Sequence, residues 1–162
     1  CLIFKGDFLT CSAVPLDCEV VAGNVPYRIS TALTSRLLCQ EPPLRRIVLT
    51  VQAEFARRLL AKPGSPKYSR ISALADALCE RRELAGPGKL PPEAFSPPPK
   101  VDSAVVCLTP WPVLRHSGLQ VPAQALDQLL RLLLDARGAA RGLGLEAALA
   151  AHEPKAGLPS AW

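Results

Sequence analysis

Cys18-Glu19-Val20-Val21-Ala22-Gly23-Asn24-Val25-Pro26-Tyr27 decides how this chain is read. The apolar run at 18–22 predicts a buried strand, and the pattern at 29–39 predicts an amphipathic helix. Between them lies an Asn-x-Pro-aromatic tetrad at the carboxyl end of the strand. Pro26 fixes its own φ and restricts Val25 to extended conformations. The Asn24 amide oxygen and the carbonyl preceding Pro26 then become fixed acceptors, a pair suited to an exocyclic amino group. Tyr27 offers a ring face on which a base stacks. Asn-x-Pro is also ordinary turn chemistry, so the tetrad alone reads either way.

Working outward, residues 2–5 read as a short strand ending at Gly6-Asp7. A third apolar run, rich in β-branched residues, spans 46–51. Residues 52–62 predict a helix with Phe55, Leu59 and Leu60 on one face, ended by Pro63-Gly64. Another helix is predicted at 71–79. Strands at 82–85 and 103–108 flank a Pro-rich loop at 91–99. The order β-α-β-α-β-α followed by two late strands predicts a doubly wound α/β sheet. Residues 111–118 read as a linker. Residues 123–136 form a Leu-rich helical pattern, 143–151 an Ala-rich one, and the tail from Pro154 reads as loose.

At 162 residues the chain has room for one domain with a real core. No apolar run reaches membrane-span length. The net charge of +5 fits a polyanionic partner, although many basic proteins bind no nucleic acid. The six cysteines show neither a CxxC pair nor Cys/His ligand spacing, so they read as small buried thiols in a reducing compartment rather than as a metal or disulfide framework. His116 and His152 receive no role. The chain lacks methionine and opens in mid-pattern at Cys1, so it reads as a fragment or a truncated gene product.

Four motifs stand in order: Gly6-Asp7, the tetrad, Glu54-Phe55-Ala56-Arg57-Arg58-Leu59 leading to Ala61-Lys62-Pro63-Gly64, and Phe95-Ser96-Pro97-Pro98-Pro99-Lys100-Val101-Asp102-Ser103. Together they resemble the ribosomal RNA adenine dimethyltransferases, in wording most like the eukaryotic small-subunit branch. The resemblance implies a Rossmann-like class I S-adenosylmethionine-dependent methyltransferase sheet without its first strands, followed by a small α-helical segment. It places residues 1–110 in the back part of the catalytic domain, 111–121 in a linker and 122–162 in a reduced helical C-terminal segment. The last two strands are expected to form an antiparallel hairpin at one sheet edge.

By the same resemblance, Asn24, Pro26, Tyr27 and Phe95 are the catalytic set. Asn24 and the backbone before Pro26 orient the target amino group, and Tyr27 and Phe95 clamp the base. Asp7 and Asn24 face the cofactor, S-adenosylmethionine, and no metal is implied. From their charge and clustering, Arg57, Arg58, Lys62 and Lys100 are read as the RNA contacts. The implied partner is ribosomal RNA in a small-subunit precursor, bound by a monomer with no membrane contact. The implied compartment is the nucleus or nucleolus, with cytoplasm, mitochondrion and plastid left open. The residues themselves also admit plainer readings. Asp7 is an ordinary turn residue, Phe95 a core residue before a Pro-rich turn, and the cluster Arg57, Arg58, Lys62, Lys67 and Arg70 a solvated face. Arg81 and Arg82 read as surface.

The chain departs from the family pattern in three places. Val25 replaces a larger aliphatic residue. Gln124, Asp127, Leu129 and Arg131 match the C-terminal module, but Leu126 and Leu134 stand where aromatics are usual, and a basic run is replaced by Arg137-Gly138-Ala139. A plain packing helix explains that segment equally well. The family's Gly-rich donor loop lies upstream of Gly6-Asp7 and outside these 162 residues. The expectation is that these residues alone bind the donor poorly and turn over negligibly. Two other functions fit the sequence: a non-catalytic RNA or preribosome-binding relative, and an adenine N6-methyltransferase with another nucleic-acid substrate.

Overall fold

The computed structural model describes residues 6–10, 18–87, 89–90, 92–96, 98–111 and 122–135. The expected strand at 2–5, nearly all of the expected linker and the expected helix at 143–151 lie outside them. Strand β1 (Val20–Asn24) leads through a single 3-10 turn into helix α1 (Ser30–Leu38). Strand β2 (Arg46–Gln52) runs straight into α2 (Ala53–Leu59). Helix α3 (Arg70–Leu78) runs into β3 (Cys79–Ala85), and the Pro-rich loop returns the chain to β4 (Ser103–Pro110). Helix α4 (Ala123–Leu130) follows, extended by one π turn at Arg131–Asp135.

The sheet has the order β1-β2-β4-β3 among the described residues. β1 and β2 are parallel, whereas β4 is antiparallel to both its neighbours. The two late strands therefore pair antiparallel, with β3 at the edge, as the resemblance implies. Ile47, Leu49 and Val51 of β2 stand opposite Leu108, Val106 and Ala104 of β4. All six are at most 1% exposed, and with side chains from α1, α2 and α3 they form one core. Period-2 alternation in β2 thus decides which face the helices cover. Each fully buried aliphatic side chain there stabilises the fold by about 1.5–3 kcal/mol. Ala123, Leu126 and Leu130 of α4 pack against the same core.

Four sequence readings change. The strand expected to be buried at 18–22 runs from Val20 to Asn24 with four of its five residues exposed, because β1 ends the sheet order among the described residues and pairs with β2 alone. The helix expected to reach Lys62 ends at Leu59, because Ala61 N–H turns back to the Arg58 carbonyl (3.2 Å) and the last carbonyls find another partner. That partner is Arg81, which donates to the carbonyls of Leu59 (3.0 Å), Ala61 (3.2 Å) and Ser72 (3.4 Å) and pairs with Asp76. Its side chain is only 11% exposed, so it is a structural cation beneath a helix C-terminus and not surface. Arg82 is exposed and pairs with Glu80 at 2.7 Å, as a surface residue should. The strand expected at 82–85 begins three residues earlier. Its charged wording hides an edge strand whose backbone follows β4 out to the Cys79–Pro110 pair, with a register irregularity between Glu83 and Ala85.

Arg81→Met is expected to cost about 2–4 kcal/mol, since it takes the donor from the carbonyls of Leu59 and Ala61 and leaves Asp76 without this cation. Urea unfolding checks this. A loss under about 0.5 kcal/mol, the range of ordinary surface substitutions, would return Arg81 to the surface reading. Among the described cysteines, Cys79 and Cys107 are buried thiols as expected, whereas Cys18 and Cys39 are only half-buried. Burial pushes the Cys79 thiol up to about 12 and the half-buried Cys39 up to about 11, which keeps both protonated at neutral pH.

Candidate functional site

The tetrad sits where β1 leaves the sheet. Asn24 is the last β1 residue and pairs in register with Thr50. One residue later the ladder continues, with Val25 N–H donating to the Thr50 carbonyl at 3.0 Å. The Val25 side chain is 4% exposed and belongs to the core. This anchor explains why an aliphatic residue must stand between Asn and Pro. Pro26 (φ −58°, ψ 126°) then turns the chain away, and its carbonyl receives Ile29 N–H at 3.1 Å. The buried Ser30 hydroxyl reaches back to the carbonyls of Tyr27 (3.1 Å) and Pro26 (3.4 Å). Strand pairing before the tetrad and a capped turn after it hold its backbone at both ends.

Two segments supply the lining of an open cleft of about 510 Å³. One is the whole tetrad, and the other is the Pro-rich loop, through Phe95, Pro99 and Lys100 among others. Phe95 follows a one-turn 3-10 helix (Pro92–Ala94), with its N–H on the Pro92 carbonyl at 3.1 Å. It is half-buried and absent from the core, so the core reading of this residue falls away. The exposed Asn24 amide and the Val25 carbonyl make no hydrogen bond among the described residues. The geometry therefore gathers two available acceptors, two aromatic rings and one ammonium group around one space. These are the groups that a flat base with an amino group and a nearby phosphate would need.

Other expected site residues lie elsewhere. Asp7 is exposed and does not line this cleft. Its Oδ1 accepts Leu9 N–H at 2.8 Å, and its carbonyl accepts Thr10 N–H at 3.2 Å, an Asx-type turn. Arg57, Arg58 and Lys62 are exposed on and just after α2. The Arg58 guanidinium lies 5.4 Å from the Phe55 ring centroid and donates to Thr31 Oγ1 at 3.3 Å. Arg70 leaves the expected basic cluster, because it pairs with the buried Asp127, which also takes Arg131 at 2.9 Å. Gln124 donates to the Cys39 carbonyl at the end of α1 (2.6 Å). Gln124 and Asp127 thus tie α4 to α1 and α3. Sequence reasoning missed Ser30 as a tetrad support, and no pattern around a single serine reveals one.

The comparisons with known proteins agree with this geometry. The family model for ribosomal RNA adenine dimethylase matches residues 3–137. The ribosomal RNA small subunit methyltransferase A of Thermosynechococcus vestitus is 34% identical over 182 residues, covering 93% of this chain and 68% of that protein. A probable dimethyladenosine transferase of Dictyostelium discoideum is 45% identical over 109 residues, covering 67% of this chain and 33% of that protein. A crystal structure of a dimethyladenosine transferase from Plasmodium falciparum superposes with a TM-score of 0.66 at 32% identity, covering 82% of this chain and 45% of that one. The chain thus spans from a third to about two-thirds of these proteins' lengths. Sequence, sheet order and cleft converge on one assignment: this chain belongs to the ribosomal RNA adenine dimethylase family.

Proposed function

We propose that these residues form the base-receiving part of an S-adenosylmethionine-dependent RNA methyltransferase that dimethylates adenine N6 in small-subunit ribosomal RNA. One observation carries the reading: Asn24 and Val25, whose side-chain amide and backbone carbonyl respectively make no hydrogen bond among the described residues, line the same cleft as Tyr27 and Phe95. The adenine N6 lone pair is delocalised into the ring and is a poor nucleophile. Accepting its two N–H bonds at Asn24 Oδ1 and the Val25 carbonyl favours a pyramidal nitrogen whose lone pair is aimed in one direction. This is preorganised alignment and requires no strong base. Tyr27 and Phe95 hold the ring and offset part of the cost of unstacking it.

The residues present fit the donor in part. The Asn24 amide is available, the space beside Gly23 is open, and the Asp7 carboxylate is exposed with one oxygen used in its turn. Asp7 and Asn24 would hold S-adenosylmethionine, which when bound supplies a methyl group on a sulfonium sulfur.

Arg57, Arg58, Lys62 and Lys100 would track the RNA backbone. The double variant Arg57→Glu/Arg58→Glu is expected to weaken RNA binding uniformly across sequences and to flatten the salt dependence by about one to two counterions. Titrations at several salt concentrations check this, and an unchanged slope would remove α2 from the interface. The function itself is tested with the protein at its full natural length. It should pass labelled methyl from S-adenosylmethionine to small-subunit ribosomal RNA and not to DNA of the same sequence. Equal labelling of DNA would overturn the substrate assignment.

A further inference from the structure

Ser103 opens β4 with 1% of its surface exposed, and its Oγ lies 3.1 Å from Tyr27 Oη, 76 residues away in sequence. Among the described residues this is the one hydrogen bond joining the side chain of a cleft residue to β4. The position of Ser103 is itself fixed. It stands opposite Gln52 in the β2–β4 register, and the carbonyl of the preceding Asp102 receives Ala53 N–H at 2.9 Å. The backbone end of Tyr27 is held by the Ser30 hydroxyl and by the Pro26 turn. A ring tethered at both its backbone and its phenol has little freedom left about its two side-chain torsions.

We propose that Ser103 is a positioning residue for Tyr27: its hydroxyl fixes the phenol, so that the ring presents one plane to the cleft before a base arrives. The inference rests on the base-receiving reading of the cleft and goes beyond it, because it assigns to the sheet a role in presenting the aromatic. A ring fixed in advance has less motion to lose when a base stacks on it, and that saving appears as affinity. A ring released from Ser103 keeps its face but must be ordered during binding.

The test uses the protein at its full natural length and a ribosomal RNA oligonucleotide carrying fluorescent 2-aminopurine at the target adenine. Binding and quenching report stacking without any methyl transfer. Ser103→Ala is expected to weaken binding about 3- to 10-fold, the size of the cost of ordering one freed side chain on binding. Tyr27→Phe removes the same bond from the cleft side while keeping the ring and the Ser103 side chain, and should give the same loss in binding. Ser103→Ala added to Tyr27→Phe should then change binding less than 2-fold, and Ser103→Thr, which keeps the hydroxyl, should restore most of the affinity. Additive losses in the double variant, or Tyr27→Phe binding like the unaltered protein, would overturn the proposal. Failure of the cleft reading looks different: Tyr27→Ala would then leave the quenching unchanged, whatever Ser103 does.

Discussion

Asn24→Ala in the protein at its full natural length is expected to slow methyl transfer by about 10²- to 10³-fold, the usual cost of removing one preorganised polar group from a reacting centre. The Asn24 side chain is exposed at the end of β1 and makes no hydrogen bond among the described residues, so its removal strands nothing in the fold. Thermal unfolding should stay near that of the unaltered protein, which separates a chemical effect from a structural one. The Val25 carbonyl alone would then hold the amino group, leaving the lone pair poorly aimed. Single-turnover transfer into ribosomal RNA at saturating donor reads the effect, so that weaker donor binding through Asn24 does not enter it. Transfer within 3-fold of the unaltered rate would remove Asn24 from the catalytic set.

The second large effect belongs to the aromatics. Phe95→Ala and Tyr27→Ala are each expected to reduce kcat/KM for RNA by about 10- to 100-fold, since stacking a base on an aromatic contributes about 1–3 kcal/mol. The two should not be additive, because once one ring is gone the base is already poorly held between the remaining wall and solvent. Phe95 lies outside the core, so its loss should leave stability nearly unchanged. Tyr27→Ala also breaks the bond to Ser103 and should cost a little stability as well. Steady-state kinetics with an RNA fragment, alongside urea unfolding, would show this. Unchanged kcat/KM in Phe95→Ala would make the Pro-rich loop a bystander to the cleft.

The tetrad was legible because its chemistry is local. The strand-end Asn24, Val25, the backbone-fixing Pro26 and the aromatic Tyr27 are four adjacent residues, and the ladder bond from Val25 to Thr50 only completes what Pro26 begins. Phe95 was legible through the resemblance alone; by itself it reads equally well as core, and the fold had to bring the Pro-rich loop to β1. Arg81 was misread because its partners are carbonyls from α2 and α3, which leave no mark on the sequence around it. Arg70 was misread for a related reason: its countercharge, Asp127, stands 57 residues away on α4. The end of α2 and the start of β3 shift for the same cause, since tertiary hydrogen bonds decide where a helix stops and an edge strand starts. Ser103 is simply the first residue of the strand expected at 103–108. Its reach to Tyr27 depends on β4 lying beside β2, a long-range pairing that no local pattern encodes.

The central claim is that the cleft presents an exocyclic adenine nitrogen for reaction. Its most direct test is to locate the transferred methyl. Small-subunit ribosomal RNA incubated with the full-length protein and S-adenosylmethionine is digested to nucleosides and resolved by mass spectrometry against standards. The account predicts N6,N6-dimethyladenosine, with N6-methyladenosine as its precursor at early times. A methyl group on a ring atom, on the ribose or on another base would contradict it.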